Sequence, residues 1–132
     1  AKNNFITRAP EAGIVTVYTR DCKVLNNTIH DPESQLGRLI RTVFTNDGLI
    51  FANNLLSGPR ISHESKSKVI FLNNIIRDFT DAFINPDRGN LHLTEAAIEA
   101  VDKGTPLVDI KADFDGDRRG EKPDIGADEL SK

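Results

Sequence analysis

The chain has 132 residues, 38% of them hydrophobic and 28% charged, the balance of one folded domain and not of a disordered chain. Its 17 basic and 20 acidic side chains leave a net charge of -3 with no run of Lys or Arg, so nucleic acid, whose binders need a basic stripe against phosphate, is not an expected partner. No stretch approaches the roughly 18 to 20 consecutive apolar residues that cross a bilayer, and no membrane span is expected.

The chain opens on Asn3-Asn4-Phe5-Ile6, and an Asn pair followed by β-forming residues returns at Asn26-Asn27-Thr28-Ile29, Asn53-Asn54-Leu55-Leu56 and Asn73-Asn74-Ile75-Ile76, at spacings of 23, 27 and 20 residues. A repeat of roughly 20 to 30 residues built from short strands predicts a solenoid, in which each repeat is one coil and stacked coils bury a continuous core. The segments before the pairs keep the same phase, so Val24, Phe51 and Phe71 are expected to form one inward row. Asparagine tolerates the left-handed backbone of a sharp turn, and its amide can bond the coils above and below. The second member of each pair, Asn4, Asn27, Asn54 and Asn74, is assigned to this structural ladder.

Between the pairs lie a strand over residues 13–19 and another over residues 38–45, entered through Gly13 and Gly37, which gives three strands per coil. Residues 60–65 offer only a weak strand at the same place. The lone Cys22, between Asp21 and Lys23, has no disulfide partner and no metal-ligand pattern; it reads as a small buried hydrophobe and leaves the redox compartment open. After Asn74 the repeat stops. Leu91-His92-Leu93 reads as a last strand, Thr94 as an N-cap, residues 95–103 as a short helix with Gly104 as its stop, and residues 113–129 as a turn-rich closure over the last open sheet edge.

These features resemble the C-terminal part of bacterial right-handed β-helix proteins of the pectate-lyase-like superfamily. The Asn-Asn repeats are similar to that family's coils, and Leu91-His92-Leu93, Ala100-Val101-Asp102-Lys103-Gly104 and residues 113–129 to its terminal cap; Arg118-Arg119 stands where the family often has Arg-Pro. The resemblance implies an all-β, right-handed parallel β-helix with coils over residues 1–93 and a helix-and-loop cap over residues 94–132 of the same domain. It further implies a secreted or periplasmic bacterial protein of which this chain is about the last third, starting inside a coil with no N-terminal cap.

A β-helix lyase acting on an acidic glycan needs a base to take a proton beside a carboxylate and a cation to stabilise the charge that develops. Tyr18, Arg20, Arg38 and Arg41 lie on or beside the glycine-entered strands, the face that carries the groove in the resembling enzymes. A period of two means that one residue of register error turns each of them from groove to core. Acidic residues cluster instead near the C-terminus, where Asp113, Asp115, Asp117, Glu121 and Asp124 have a spacing that suggests calcium. An EF-hand loop beginning at Asp113 would need glycine where Arg118 stands, so a turn salt-bridged by Arg118, Arg119 and Lys122 is the reading set against it. His30, His63 and His92 each stand without a second ligand at zinc spacing.

Two functions follow as expectations. One is a carbohydrate-related module of a secreted polysaccharide lyase-like or glycan-binding protein, with polysaccharide or an upstream segment as partner and any catalytic centre mainly on other coils. The other is a structural solenoid that self-associates, or stacks on a partner, through its N-terminal coil.

Overall fold

Asn3, Asn26, Asn53 and Asn73, the first members of the four pairs, adopt left-handed backbone angles with φ of 54°, 51°, 56° and 53°. Each breaks the extended chain, so the strands on either side stay short. A computed structural model describes residues 1–131, an all-β chain whose only helical residues among those described are the 3-10 turns Thr80–Ala82 and Pro86–Arg88.

The first circuit of the chain runs through β1 (Phe5–Thr7), β2 (Ile14–Arg20) and β3 (Lys23–Leu25), and the second through β4 (Thr28–His30), β5 (Ile40–Asp47) and β6 (Ile50–Ala52). The third comprises β7 (Leu55–Ser57), β8 (Ser62–His63) and β9 (Ile70–Leu72), after which β10 (Ile75–Ile76) begins a fourth. Each circuit adds one strand to each of three parallel sheets, in the orders β1-β4-β7-β10, β2-β5-β8 and β3-β6-β9. Side chains in register therefore stack between circuits. Ile6, Ile29, Leu56 and Ile76 form one such row, and Val24, Phe51 and Phe71 another. Val24, Ile29, Leu39, Ile40, Leu49, Phe51 and Leu56 make a buried core between the three sheets. Phe71 stacks on Phe51 with centroids 5.2 Å apart, yet it remains 43% exposed because β9 is the last strand of its sheet.

The second Asn of each pair points its amide along the stack. Asn27 Oδ1 accepts the backbone N–H and the Nδ2 of Asn4, Asn54 Oδ1 accepts the same two donors of Asn27, and Asn74 Oδ1 those of Asn54, at 2.8 to 3.1 Å. Asn54 Nδ2 also donates to the Val24 carbonyl, so this 0% exposed side chain ties three circuits together.

The C-terminal segment departs from expectation in two ways. Residues 95–103 form successive turns and not a helix: Val101 N–H reaches the Ala97 carbonyl, but Asp102 turns left-handed at φ 59° and its N–H goes to Asp124 Oδ1. Buried Ala97 and Ala100 hold this run against Leu55, Phe83 and Leu91, so packing decides its path over local propensity. Nor do residues 113–129 cover the last sheet edge. The segment lies along the side of the stack, over the outer face of the β1-β4-β7-β10 sheet, and leaves Ile70, Phe71, Leu72 and Ile76 between 40% and 52% exposed.

The first Asn of each pair receives it. Asn73 and Asn53 bond Thr105, Asn26 donates to the Asp124 and Gly126 carbonyls, and Asn3 donates to the Ala112 carbonyl. At Gly126, φ 105°, the segment comes so close that a Cβ would lie 2.7 Å from Thr28 Oγ1. Leu91-His92-Leu93 belongs to β12 (Asn90–Leu93), which pairs antiparallel with β11 (Phe83–Asn85) and joins no parallel sheet. Cys22 is exposed, since it lies in the turn between β2 and β3 where Asp21 is left-handed.

Replacing Asn54 by Ala removes the acceptor of two Asn27 donors and should destabilise the protein by about 1 to 3 kcal/mol in a denaturant titration. Phe51→Ala should cost about 3 to 5 kcal/mol in the same measurement, because it opens a cavity between all three sheets. A loss under about 1 kcal/mol for either would contradict the buried positions described.

Candidate functional site

The β2-β5-β8 sheet carries an irregularity with chemical consequences. Ile14 to Val17 pair one for one with Ile40 to Val43, but Thr19 then pairs with Asn46, so β5 holds one residue more than β2. This bulge is taken up by Tyr18 at φ 51° and Phe44 at φ 59°. A bulky side chain in left-handed backbone costs about 1 to 3 kcal/mol and persists only where its surroundings impose it.

Asn46, 0% exposed, supplies the imposition. Its Nδ2 donates to the Val43 carbonyl, its Oδ1 accepts the Thr19 hydroxyl, and its N–H donates to Ser67 Oγ. Ser65 Oγ donates to the Phe44 carbonyl at 2.6 Å. The bulge turns two rings outward, Tyr18 70% and Phe44 62% exposed, stacked with centroids 5.1 Å apart and planes 4° from parallel.

A hollow lies on either side of the pair. One, of about 440 Å³, has Tyr18, Arg41, Val43, Phe44, Glu64 and Lys66 in its walls; the other, of about 430 Å³, has Tyr18, Thr19, Arg20, Thr45 and Asp47. Val15 and Val17 extend the apolar strip along β2. Arg41 Nε donates to Glu64 Oε2 at 2.6 Å, and this bond holds the Glu64 carboxyl below the usual range and the Arg41 guanidinium above it. Among the described residues neither Arg20 nor Lys66 is in an ion pair. Three of the four candidates read from the sequence, Tyr18, Arg20 and Arg41, thus meet on one face. Arg38 does not join them; it precedes β5, and its carbonyl accepts the Gly13 N–H. Phe44, Glu64, Lys66 and the brace Asn46 escaped the sequence reading. The stacking partner was the hardest to find, because a 27-residue offset sets Tyr18 beside Thr45 and only the bulge brings Phe44 opposite.

Two of the five carboxylates suggested for calcium, Asp113 and Asp124, are occupied by backbone. Asp113 Oδ1 accepts the N–H groups of Asp115 and Asp117, and its Oδ2 accepts that of Glu129. Asp124 accepts the N–H groups of Asp102 and Leu130, while Glu121 is exposed. Asp113, Asp115 and Asp117 each have a ligand atom within 4.8 Å of the others; Glu121 and Asp124 do not join them. The turn is held by an ion pair from Arg119, 2.9 Å from Glu129, and this guanidinium also bonds the carbonyls of Ala112, Asp124 and Gly126 and Asn3 Oδ1. Burial pushes Arg119 down and Glu129 up despite their attraction, so the pair fixes the path of the segment more than it adds net stability.

His63 lies against Thr42, and His92 against Asn90 and Asp115. His30, 7% exposed, has Nδ1 2.8 Å from Ser57 Oγ and its ring edge-on to Phe83. No helix among the described residues is long and apolar enough to cross a membrane. No protein-family model matches the chain, and searches of curated proteins and of solved structures return no match.

Burial lowers the His30 pKa, outweighing the attraction of Asp78, Asp31 and Asp87. The folded state therefore binds this proton less readily than the unfolded state, whose histidine titrates near 6.5. The stability this confers is present above that pH and is lost as pH falls through the folded value. Melting temperature should drop between about pH 7.5 and about pH 5, and His30→Gln should make that drop shallower. Parallel curves for the two proteins would assign the pH dependence to other groups.

Proposed function

We propose that the chain is a right-handed parallel β-helix module of a secreted, carbohydrate-related bacterial protein, and that the Tyr18–Phe44 face holds a polysaccharide chain without cleaving it. Three parallel sheets visited in strict rotation support the helix, and parallel connections are right-handed in about 98% of cases where a crossover joins strands of one sheet. The observation that carries the binding reading is the exposed, stacked and nearly parallel aromatic pair, fixed in strained backbone by a buried asparagine. A pyranose ring presents C–H groups on its flat faces and hydroxyls at its rim. Aromatic rings and valines meet the first, and Arg20, Arg41, Lys66, Asp47 and Glu64 can hydrogen-bond the second. Binding without turnover is favoured because the carboxylate that shares a hollow with both rings, Glu64, is tied to Arg41 and is a poor base.

A structural role through self-association is the second reading. The observation favouring it is the apolar end of the stack, where Ile70, Phe71, Leu72 and Ile76 lie exposed on the last strands of two sheets.

Phe44→Gly should remove one ring and relieve the left-handed strain, leaving melting unchanged or raised. Retardation of the full chain by acidic and neutral polysaccharides in affinity gels should fall about tenfold in this variant, a loss of ~1.4 kcal/mol. Release of unsaturated sugar should stay undetected. Unaltered retardation of the variant would remove the aromatic pair from the binding surface, and turnover abolished by Arg41→Ala would convert the reading to a lyase.

A further inference from the structure

The two hollows beside the Tyr18–Phe44 pair are almost equal in size, about 440 and 430 Å³, but they differ in charge. Tyr18 and Thr45 belong to the walls of both, so the hollows adjoin across a shared wall. In the first, Arg41 is neutralised by Glu64: its Nε donates to Oε2 at 2.6 Å and its Nη2 to Oε1 at 3.3 Å. Lys66, exposed in the same wall, is in no ion pair among the described residues. Its ammonium is left as the net charge of that hollow.

The second hollow holds one charge of each sign. Arg20 and Asp47 are partners in register across β2 and β5 and both are exposed, yet among the described residues no ion pair joins them. Each side chain is therefore open to a ligand, Arg20 as a donor and Asp47 as an acceptor. A sugar hydroxyl or amide, which both donates and accepts, satisfies the two together. A carboxylate does not. It only accepts, and it meets the Asp47 charge at close range, where like charges oppose binding.

Resting on the binding reading above, we infer that the ligand is an alternating polysaccharide, a uronic acid followed by an uncharged sugar, with the carboxylate on Lys66 and the uncharged residue between Arg20 and Asp47. The shared wall of Tyr18 and Thr45 makes the two sugars neighbours in the glycan, so charge recurs at every second residue. A neutral polymer leaves Lys66 without a partner. A polyuronate built of one repeating sugar places a second carboxylate beside Asp47, and the site turns it away. Discrimination rests on such a repulsive group as much as on the attractive one. Lys66 and Asp47 are both exposed, so changing them leaves the buried brace of Asn46 intact.

The test measures retardation of the full chain in affinity gels that hold one of three polymers: hyaluronan, in which glucuronate alternates with an uncharged N-acetylhexosamine, polygalacturonate, in which every residue is acidic, or dextran, in which none is. Hyaluronan should bind about tenfold more tightly than either homopolymer. Lys66→Gln should bring hyaluronan down to the level of dextran. Asp47→Ser should raise affinity for polygalacturonate towards that for hyaluronan, a gain that loss of structure cannot produce. Equal affinity for hyaluronan and polygalacturonate, full hyaluronan affinity in Lys66→Gln, or an unchanged preference in Asp47→Ser overturns the alternation, even where Phe44→Gly still weakens binding. If none of the polymers retards the chain, or Phe44→Gly leaves retardation unaltered, the binding reading itself falls and the alternation falls with it.

Discussion

Two adjacent asparagines, repeated once per circuit, set the conditions under which the rest of the molecule exists. Most strands here are three residues long or shorter, and isolated strands of that length do not persist in water. They persist because the first Asn of each pair reverses the chain at a left-handed angle and the second fixes register against the next circuit through two hydrogen bonds to one amide oxygen. Division of the two tasks between neighbours has a simple cause. A residue at φ near 55° turns its side chain outward from the stack, while the next aims its side chain along it.

The same register that makes the core regular makes the aromatic face irregular. Asn27 and Asn54 are 27 residues apart, whereas Ile14 and Ile40 are 26 apart, so one residue must be absorbed between them. The sheet absorbs it at Tyr18 and Phe44, and Asn46 satisfies the groups that the interrupted ladder leaves open. Bulges that redirect side chains are features of sites more often than defects. The stacked rings are thus a consequence of the mismatch between the ladder's period and the strand's, held in place by a polar side chain with no exposed surface.

What was legible in the sequence was whatever repeats. The Asn pairs, the phase of Val24, Phe51 and Phe71, the three strands per circuit and the weakness of β8 all follow from spacing and β-propensity, and all are present. What was illegible depends on contacts between distant segments. Residues 95–103 carry a helical pattern of apolar positions, yet tertiary bonds from Pro123 and Asp124 draw the backbone away from it. Arg41 and Glu64 are 23 residues apart and meet only because their circuits are stacked. The buried Arg119 gives no sign in composition of the five groups that it bonds.

The position of the C-terminal segment follows from the asparagines as well. Left-handed Asn26 and Asn53 sit on the flank of the stack with 1% of their surface exposed, and their amides must find partners that the strands, already paired, cannot supply. An apolar segment laid over this row would bury those amides unsatisfied at about 1 to 3 kcal/mol each. A segment rich in turns offers free carbonyls instead, and those of Asp124, Gly126 and Thr105 answer Asn26 and Asn53 directly. The composition that reads as a closing loop is therefore the composition that a polar flank demands. It leaves the end of the stack, with Ile70, Phe71 and Leu72, outside its reach.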